Sequence, residues 1–447
     1  MRTSRRTCIQ TMLALGAQAG VMSAWPSQLA AKMKAAGSGR RLIVLWMPGG
    51  PSQMDTFDLK PGHANGGPFK ELSTSIPGLR FSEHLPELGK LAEHLSIVRG
   101  MSTKEGDHSR GTFLLRTGQR PGAPVRYPAF PAALAQQLTP PDDSVPGYVS
   151  ILPNSFINPP AFSAGFLGAS REPLTVGGTS TFDPAQLNNP TQPRSDGPAD
   201  LRVDNLLPPD GLPRERLVRR RQFWDVLQQS YGAAGRAGAA MTHDTVYRRA
   251  MKLAESDLVE AFDLKQESDE VRRRYGVEPF GQGCLMARRL IERGVPVVEV
   301  SLSDGPAGLS WDSHADNFTI VKRLSEQLDR GWSQLILDLK ASGLLETTTI
   351  VWMGEFGRTP QINPQGGRDH FPNAWTCVLG GGGIVGGSIV GKTSDDGMEV
   401  TDRPVTAPDL LATICSAVGV SPDTENISDD RRPIKLSEGK TISEILV

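Results

Sequence analysis

TTTIVWMGEFGRTPQINPQGGRDHFP, residues 347–372, joins an apolar run of β-type residues to a loop rich in charge, glycine and proline. The loop carries five ionisable side chains, which are Glu355, Arg358, Arg368, Asp369 and His370. Buried strands of α/β proteins end at the carboxyl edge of the sheet, where ligands bind. The stretch therefore predicts an α/β fold with a functional site at that edge.

Two further apolar runs are followed by loops of the same character. Arg41–Met47 precedes a glycine and proline loop at residues 48–52, and Val295–Leu302 precedes the sequence WDSH at residues 311–314. Helical periodicity separates such runs, most clearly from Phe318 to Leu339. Alternating strands and helices predict a three-layer α/β/α fold with a mostly parallel central sheet.

Shorter patterns complete this prediction. Helices are predicted at residues 85–95, 214–229, 242–265, 280–293 and 408–418, and short strands at 95–99 and 375–379. The chain of 447 residues is long enough for a single large domain over residues 40–447. From about residue 121 to 213 proline, asparagine, glycine and serine dominate without periodicity, which predicts an irregular insertion covering one face of the sheet.

The N-terminus has the pattern of a targeting segment. Arg5 and Arg6 precede a mildly apolar stretch from Thr11 to Trp25, which is typical of a bacterial twin-arginine signal. Residues 1–36 are therefore predicted to engage the twin-arginine export machinery, with small-residue cleavage sites near Ala31 or Ala36. One alternative is an ordinary basic, amphipathic N-terminal segment without a targeting role. Another is an export signal that stays uncleaved and acts as an anchor. The expected location is the periplasm or another exported compartment.

The composition excludes several classes of protein. A formal net charge of -1 gives no long-range field for polyanions, so nucleic acid is not an expected partner. No apolar run reaches the roughly 20 residues that a transmembrane helix needs, so no span is expected in the mature protein. Beyond Cys8 the cysteines are Cys284, Cys377 and Cys415, an odd number without the spacing of a zinc finger or a disulfide framework.

Two acid and histidine pairs are candidate metal ligands. Asp312 and His314 are one residue apart in a predicted loop, although a surface acid beside a hydrogen-bonded histidine is the alternative. Asp369 and His370 follow two glycines that allow close backbone approach, and Glu355 ends the preceding strand. Alternatively, Glu355 forms a buried ion pair with Arg358 or Arg368 that closes the loop.

A third histidine lies in the sequence KEGDHSRG at residues 104–111. His108 is the candidate ligand there, Ser109 a candidate nucleophile and Arg110 a candidate anion clamp. Arg368 is a further candidate for holding an anionic substrate oxygen. Asp55 follows the first strand and either reaches the same edge or closes an Asx turn. The chain has no G-x-S-x-G elbow and no Walker-type phosphate loop.

Imidazole and carboxylate ligands suggest a metal centre. They suit zinc, manganese or iron, whereas calcium prefers oxygen ligands throughout. The expected cofactor is a divalent metal ion, with zinc, manganese and calcium as candidates. The predicted ligands are His108, Asp312, His314, Glu355, Asp369 and His370.

Several long motifs in order resemble the bacterial family catalogued as domain of unknown function 1501. They include GGPSQMDTFDLKPG, STKEGDHSRGTFLLRTGQRP, FGQGCLMARRLIERGVPVVEV, WDSHADNF, GLLETTTIVWMGEFGRTPQIN, GRDHFP and DLLATICSAVGV. The resemblance extends over essentially the whole chain after the N-terminal segment. The family is similar to the alkaline phosphatase and sulfatase superfamily, which implies a parallel sheet with one or two metal ions at its carboxyl edge.

This resemblance implies roles for individual residues. Asp312 and His314 match the superfamily's aspartate-to-histidine metal motif, Glu355 matches an acidic position after a site strand, and His370 lies near the final metal histidine. The segment around His108 is similar to the sulfatase signature, but Gly106 stands where the modified cysteine would be. The formylglycine mechanism is therefore excluded, and Glu355 in place of an Asp-His pair removes one expected ligand.

The expected function is an exported, metal-dependent hydrolase of phosphate or sulfate esters, acting on a small-molecule or glycan ester. The ion would activate a water or Ser109, while Arg110 and Arg368 would steady negative charge. The alternative is a non-catalytic envelope protein that keeps the superfamily fold as a binding or scaffold module.

Overall fold

An eight-stranded mixed sheet forms the centre of the protein. The computed structural model describes residues 39–139, 145–177, 199, 201–203, 206, 214–233, 237–303 and 308–447, so the predicted export signal at residues 1–36 lies outside the described residues. The strands of this sheet are β1 (Arg41–Trp46), β4 (Leu95–Met101), β5 (Tyr148–Ile151), β6 (Leu174–Val176), β7 (Val297–Ser301), β8 (Thr348–Met353), β11 (Trp375–Gly381) and β12 (Ser388–Val390). Their order across the sheet is β12-β4-β11-β8-β1-β7-β5-β6.

Most neighbours in this sheet are parallel, and β11 is the exception. It runs antiparallel to β4 on one side and to β8 on the other. The amino end of β11 therefore lies at the edge where the parallel strands have their carboxyl ends. Residues that precede β11 reach the same edge as residues that follow β1, β4, β7 and β8.

Among the described residues, four two-stranded ribbons lie outside the main sheet. They are β2 (Glu71–Ser73) with β3 (Arg80–Ser82), β9 (Gly357–Arg358) with β10 (His370–Phe371), β13 (Lys392–Thr393) with β14 (Val400–Asp402), and β15 (Glu425–Ile427) with β16 (Pro433–Lys435). The β9–β10 ribbon lies between β8 and β11 and pairs Arg358 with His370.

Helices cover both faces of the sheet. They are α1 (Pro86–Lys90), α2 (His108–Thr117), α3 (Phe130–Leu138), α4 (Arg214–Ala233), α5 (Ala237–Ala254), α6 (Asp269–Arg274), α7 (Pro279–Glu292), α8 (Asn317–Ala341) and α9 (Ala407–Ala417). Alternate residues of β1 lie in two hydrophobic cores, one on each face of the sheet. Ile43 and Leu45 pack with α1, α7 and α8. Leu42 and Val44 pack with α2, α3 and α9. The predicted three-layer α/β/α architecture is confirmed.

Three local predictions differ from the structure. The helix predicted at 85–95 ends at Lys90, and a 3-10 turn at Ala92–His94 follows it. The helix predicted at 242–265 ends at Ala254, and a 3-10 turn at Asp257–Phe262 follows it, because Leu258, Ala261 and Phe262 turn into the core. The segment 121–213 contributes more than an irregular cover, since α3, β5 and β6 lie within it and the two strands extend the main sheet. Among the described helices, none is both long and apolar enough to cross a membrane.

Candidate metal centre

Four segments deliver side chains to the carboxyl edge of the sheet. His108 begins α2 after β4, Asp312 and His314 follow β7, and His370 lies in β10 just before β11. Glu355 follows β8. All six predicted ligands lie at this one edge, in a single network of contacts.

Two glycines allow the loops to approach closely enough. Gly49, which follows β1, has a φ of 105°, and a Cβ there would lie 2.4 Å from the backbone nitrogen of Asp312. At Gly367 a Cβ would lie 1.9 Å from the carbonyl oxygen of His314. Larger residues at either position would push Asp312 and His314 away from the sheet edge. Of the two glycines predicted to allow close approach, Gly367 does so, whereas a Cβ at Gly366 would meet nothing within 4 Å.

The Asp312 carboxylate is the point on which three imidazoles converge. Its Oδ1 lies 3.3 Å from Nε2 of His108, 3.1 Å from Nε2 of His314 and 3.3 Å from Nε2 of His370. The Nε2 atoms of His314 and His370 are 3.0 Å apart. These four residues, here called the histidine cluster, bring three ring nitrogens close to one carboxylate oxygen.

The other nitrogen of each ring is held by an oxygen acceptor. Nδ1 of His108 lies 2.7 Å from Oε1 of Glu355, and Nδ1 of His314 lies 2.7 Å from Oδ1 of Asp369. Nδ1 of His370 lies 2.7 Å from the carbonyl oxygen of Gly106. Histidines that bind metals characteristically donate their second N–H to a carboxylate or a carbonyl in this way. The structure thus places Glu355 and Asp369 behind the rings.

These partners determine where the ring protons lie. The Gly106 carbonyl can only accept, so Nδ1 of His370 carries a proton. The hydrogen bond from His314 lowers the pKa of Asp369, so this acid is ionised and Nδ1 of His314 donates to it. In neutral rings both Nε2 atoms then present lone pairs to each other and to Asp312. Such a set of acceptors is repulsive by itself and becomes a ligand set around a cation.

Burial and charge divide the cluster into a closed side and an open side. The side chain of Glu355 is 0% exposed, whereas His314 is 44% and Asp369 is 55% exposed. Burial lowers the pKa of His108, but contacts with Asp312 and Glu355 outweigh it and raise the pKa to about 9. The open side of the cluster is therefore the one that carries His314.

Asp312 is held as an anion. Burial would raise its pKa, but His108, His370 and the Arg358 guanidinium hold the pKa of this carboxyl far below its usual range. Nη2 of Arg358 donates to Oδ1 of Asp312 at 2.6 Å, and Arg358 also donates to the carbonyls of Gly49 and Gly50. The arginine thereby fixes the orientation of the carboxylate at the centre of the cluster.

A second ion pair supports the loop that carries Asp369 and His370. Arg368 donates to Oδ2 of Asp55 at 2.8 Å through Nε and to Oδ1 at 3.1 Å through Nη2. Both side chains are 0% exposed. Asn317 also donates to Oδ2 of Asp55, at 2.9 Å. Asp55 thus reaches the same edge of the sheet, and a bidentate pair ties the loop after β1 to the loop before β11.

The two remaining predicted residues lie on α2. Oγ of Ser109 accepts a hydrogen bond from Nδ2 of Asn158 at 3.1 Å, which leaves the hydroxyl proton available. Arg110 is 53% exposed and forms a two-point ion pair with Glu105, at 2.6 and 2.9 Å. Ser109 follows a cluster histidine directly, whereas the Arg110 guanidinium is occupied by its own loop.

The structure also adds residues that were not predicted as parts of the site. Arg358 was considered only as a partner of Glu355, and its contact with Asp312 depends on a fold that brings two distant loops together. Its position three residues after Glu355 was the available signal. The Gly106 carbonyl has no signal in the sequence, because any residue supplies a carbonyl oxygen.

Comparison with known proteins gives the family. A family model described as "Protein of unknown function (DUF1501)" matches residues 39–446. The chain belongs to the DUF1501 family. The family membership predicted from the motifs is therefore confirmed, and a search of curated proteins finds no match.

Solved structures similar to this DUF1501 protein share little sequence with it. The PsFucS1 sulfatase from Pseudoalteromonas sp. is 13% identical with a TM-score of 0.38, over 88% of this chain and 72% of that one. The phosphonate monoester hydrolase of Agrobacterium radiobacter is 14% identical with a TM-score of 0.35, over 91% and 77%. The lipoteichoic acid synthase LtaP from Listeria monocytogenes is 10% identical with a TM-score of 0.36, over 87% and 74%.

Proposed function

We propose that this DUF1501 protein is an exported, metal-dependent hydrolase of phosphate or sulfate esters. The observation that carries the proposal is the histidine cluster, in which three Nε2 atoms and the Asp312 carboxylate face one point. The ligand atoms of His108, Asp312 and His370 all lie within 4.8 Å of one another. Such a spacing lets one ion contact all of them after a small inward movement of the side chains.

The donor set fits a transition metal. Three imidazole nitrogens and one carboxylate oxygen suit zinc or manganese, and calcium would require more oxygen ligands. Within this proposal His108, His314, His370 and Asp312 hold the ion. Glu355 and Asp369, both predicted as ligands, are assigned instead to orient His108 and His314 through Nδ1.

The chain's own residues would bind and orient an ester beside the ion. When bound, a divalent ion polarises an ester oxygen and lowers the pKa of a water molecule. Ser109 adjoins His108 and retains a free hydroxyl proton, so it is the candidate nucleophile besides water. We assign Arg368 to holding the loop, because Asp55 and backbone carbonyls occupy its guanidinium. Arg110 would have to leave Glu105 before it could hold negative charge.

Gly106 supports a second candidate function. It occupies the position that the sulfatase resemblance implies for the nucleophilic cysteine, so the chain lacks that group. A non-catalytic envelope protein could use the same metal centre for binding or for structure.

Metal content tests the first step of the proposal. Purified protein loaded with zinc or manganese is expected to retain about one ion per chain by elemental analysis. His314→Ala and His370→Ala should lose it, whereas His94→Ala, which removes a histidine that contacts Lys340 instead, should not. Unchanged metal content in both cluster variants would refute the metal centre.

Turnover separates the two candidate functions. Aryl phosphates and aryl sulfates are offered to the loaded protein, with zinc and manganese in separate assays. Hydrolysis that His370→Ala abolishes and His94→Ala leaves intact supports the enzyme. Metal retention without hydrolysis of any ester favours the binding or scaffold protein.

A further inference from the structure

We infer that the group transferred at this site carries a single negative charge, as in a sulfate monoester or a phosphate diester. The inference rests on the proposed function and narrows its substrate class. It follows from the balance of charge around the histidine cluster and from the partners of the nearby cationic side chains.

Three carboxylates lie in or directly around the histidine cluster. Asp312 is at its centre, and Glu355 and Asp369 contact the histidines from behind. Arg358 is the cationic side chain that contacts Asp312 directly. A divalent ion together with Arg358 would supply three positive charges, which the three carboxylates balance. The loaded site is then close to neutral before a substrate enters.

The other arginines of the site loops are already neutralised. Arg368 is paired with Asp55, and both are buried. Arg110 is paired with Glu105, whose side chain is only 13% exposed. Lys104, in the same loop as Arg110, is exposed and lies outside these ion pairs. The arginines of these loops are thus already occupied and cannot offset negative charge on a substrate.

This balance discriminates between ester classes. A monoanionic group would leave the loaded site with one excess negative charge. A dianionic phosphate monoester would leave a second charge without a partner, beside the Asp312 and Asp369 carboxylates. Like charges placed next to each other in a partly desolvated site are a strong basis for rejecting a ligand.

Binding of two matched phosphonates tests the inference without relying on turnover. Isothermal titration of the zinc-loaded protein at about pH 8.5 compares phenylphosphonate, a dianion, with its monomethyl ester, a monoanion. The monoanion is expected to bind at least about tenfold more tightly. Tighter or equal binding of the dianion would overturn the inference, and so would failure of both to bind to protein that retains zinc. Failure to retain zinc would instead refute the proposed function.

A charge variant makes the test specific. Asp369→Asn keeps an oxygen acceptor for Nδ1 of His314 and removes one negative charge. This variant should lower the ratio of monoanion to dianion affinity by about tenfold or less, because the dianion should bind more tightly. Glu438→Gln removes an equal charge from the exposed C-terminal segment and should leave the preference unchanged. Equal effects of both variants would contradict a local electrostatic origin.

Discussion

Two polar networks in this protein differ in whether they are complete. Below the sheet edge, Arg116 donates to Glu299 at 2.7 Å and to Tyr148 at 3.2 Å. It also donates to the Ala161 carbonyl at 3.0 Å. Ser150 donates to the other carboxylate oxygen of Glu299 at 3.0 Å. We call this set the Arg116 network. Every strong donor in it meets an acceptor. The histidine cluster, in contrast, brings acceptors together.

The difference indicates what each network does. The Arg116 network is buried between α2 and the sheet and satisfies its own charges, so it belongs to the fold. The histidine cluster is partly exposed, and its Nε2 atoms have more lone pairs than protons. A purely structural set of charged residues would satisfy its own donors and acceptors, as the Arg116 network does. A site that receives a cation would bring acceptors together, as the histidine cluster does.

The largest expected effect is the loss of stability when the complete network is broken. Arg116→Met leaves the Glu299 carboxylate buried without its partner, which should lower the free energy of unfolding by about 3–5 kcal/mol. His370→Ala, tested without metal, should change it by about 1 kcal/mol or less, because the ring is at a partly exposed edge. Urea unfolding followed by circular dichroism measures both. Similar losses in the two variants would remove the distinction between the networks.

A smaller effect is expected on metal affinity. Glu355→Gln removes the negative charge behind His108, which should weaken metal binding about 10- to 100-fold while the chain remains folded. Competition with a chromophoric chelator gives the affinity. Glu346→Gln, at an exposed acid outside the cluster, is the matched control. Unchanged affinity in Glu355→Gln would show that this carboxylate does not support a ligand.

The smallest expected effect, about tenfold in metal affinity for each pH unit, is a pH dependence confined to the histidine cluster. The pKa of His108 is raised to about 9 in the folded protein, against about 6.5 in an unfolded chain. Its protonated ring therefore stabilises the metal-free fold below about pH 6.5, and this contribution is lost as the pH rises through 9. Metal must displace the same proton, so affinity should rise about tenfold per pH unit between about pH 7 and 9.

Calorimetry in buffers of different ionisation enthalpy checks this proton release directly. The Arg116 network is the control, because its groups do not change charge in this pH range. Burial lowers the pKa of Arg116, but contacts with Glu299 outweigh it and raise the pKa, and burial raises the pKa of Tyr148. Neither group titrates over this range. Metal affinity that stays constant between about pH 7 and 9 would contradict the role given to His108.

Local sequence patterns predicted much of the fold. The apolar runs that became β1, β7 and β8 are long enough to predict buried strands, and the charged residues after them predicted the edge that carries the site. Strands β5 and β6 were missed because they are four and three residues long and lie in a segment rich in proline and glycine. Their pairing with β7 and with each other is a tertiary effect.

The candidate site was predicted as a set of residues and not as an arrangement. All six predicted ligands lie in one network of contacts, but the sequence does not reveal which atom of each faces the centre. The antiparallel direction of β11 decides that His370 arrives at the edge from its amino end. The partners of Glu355 and Asp369 depend on ring orientations that loops set in three dimensions, which no spacing encodes.

The antiparallel pairing of β8 and β11 also has a consequence for how the site is built. Glu355, Arg358, Asp369 and His370 all belong to one excursion between two adjacent strands, so they need only a short loop closure to meet. His108 and Asp312 join them from far away in the chain. Of the histidine cluster, His370 is thus local to this excursion, whereas His108, Asp312 and His314 depend on the completed sheet. The proposed ion binding would therefore require that the strands around the site have assembled.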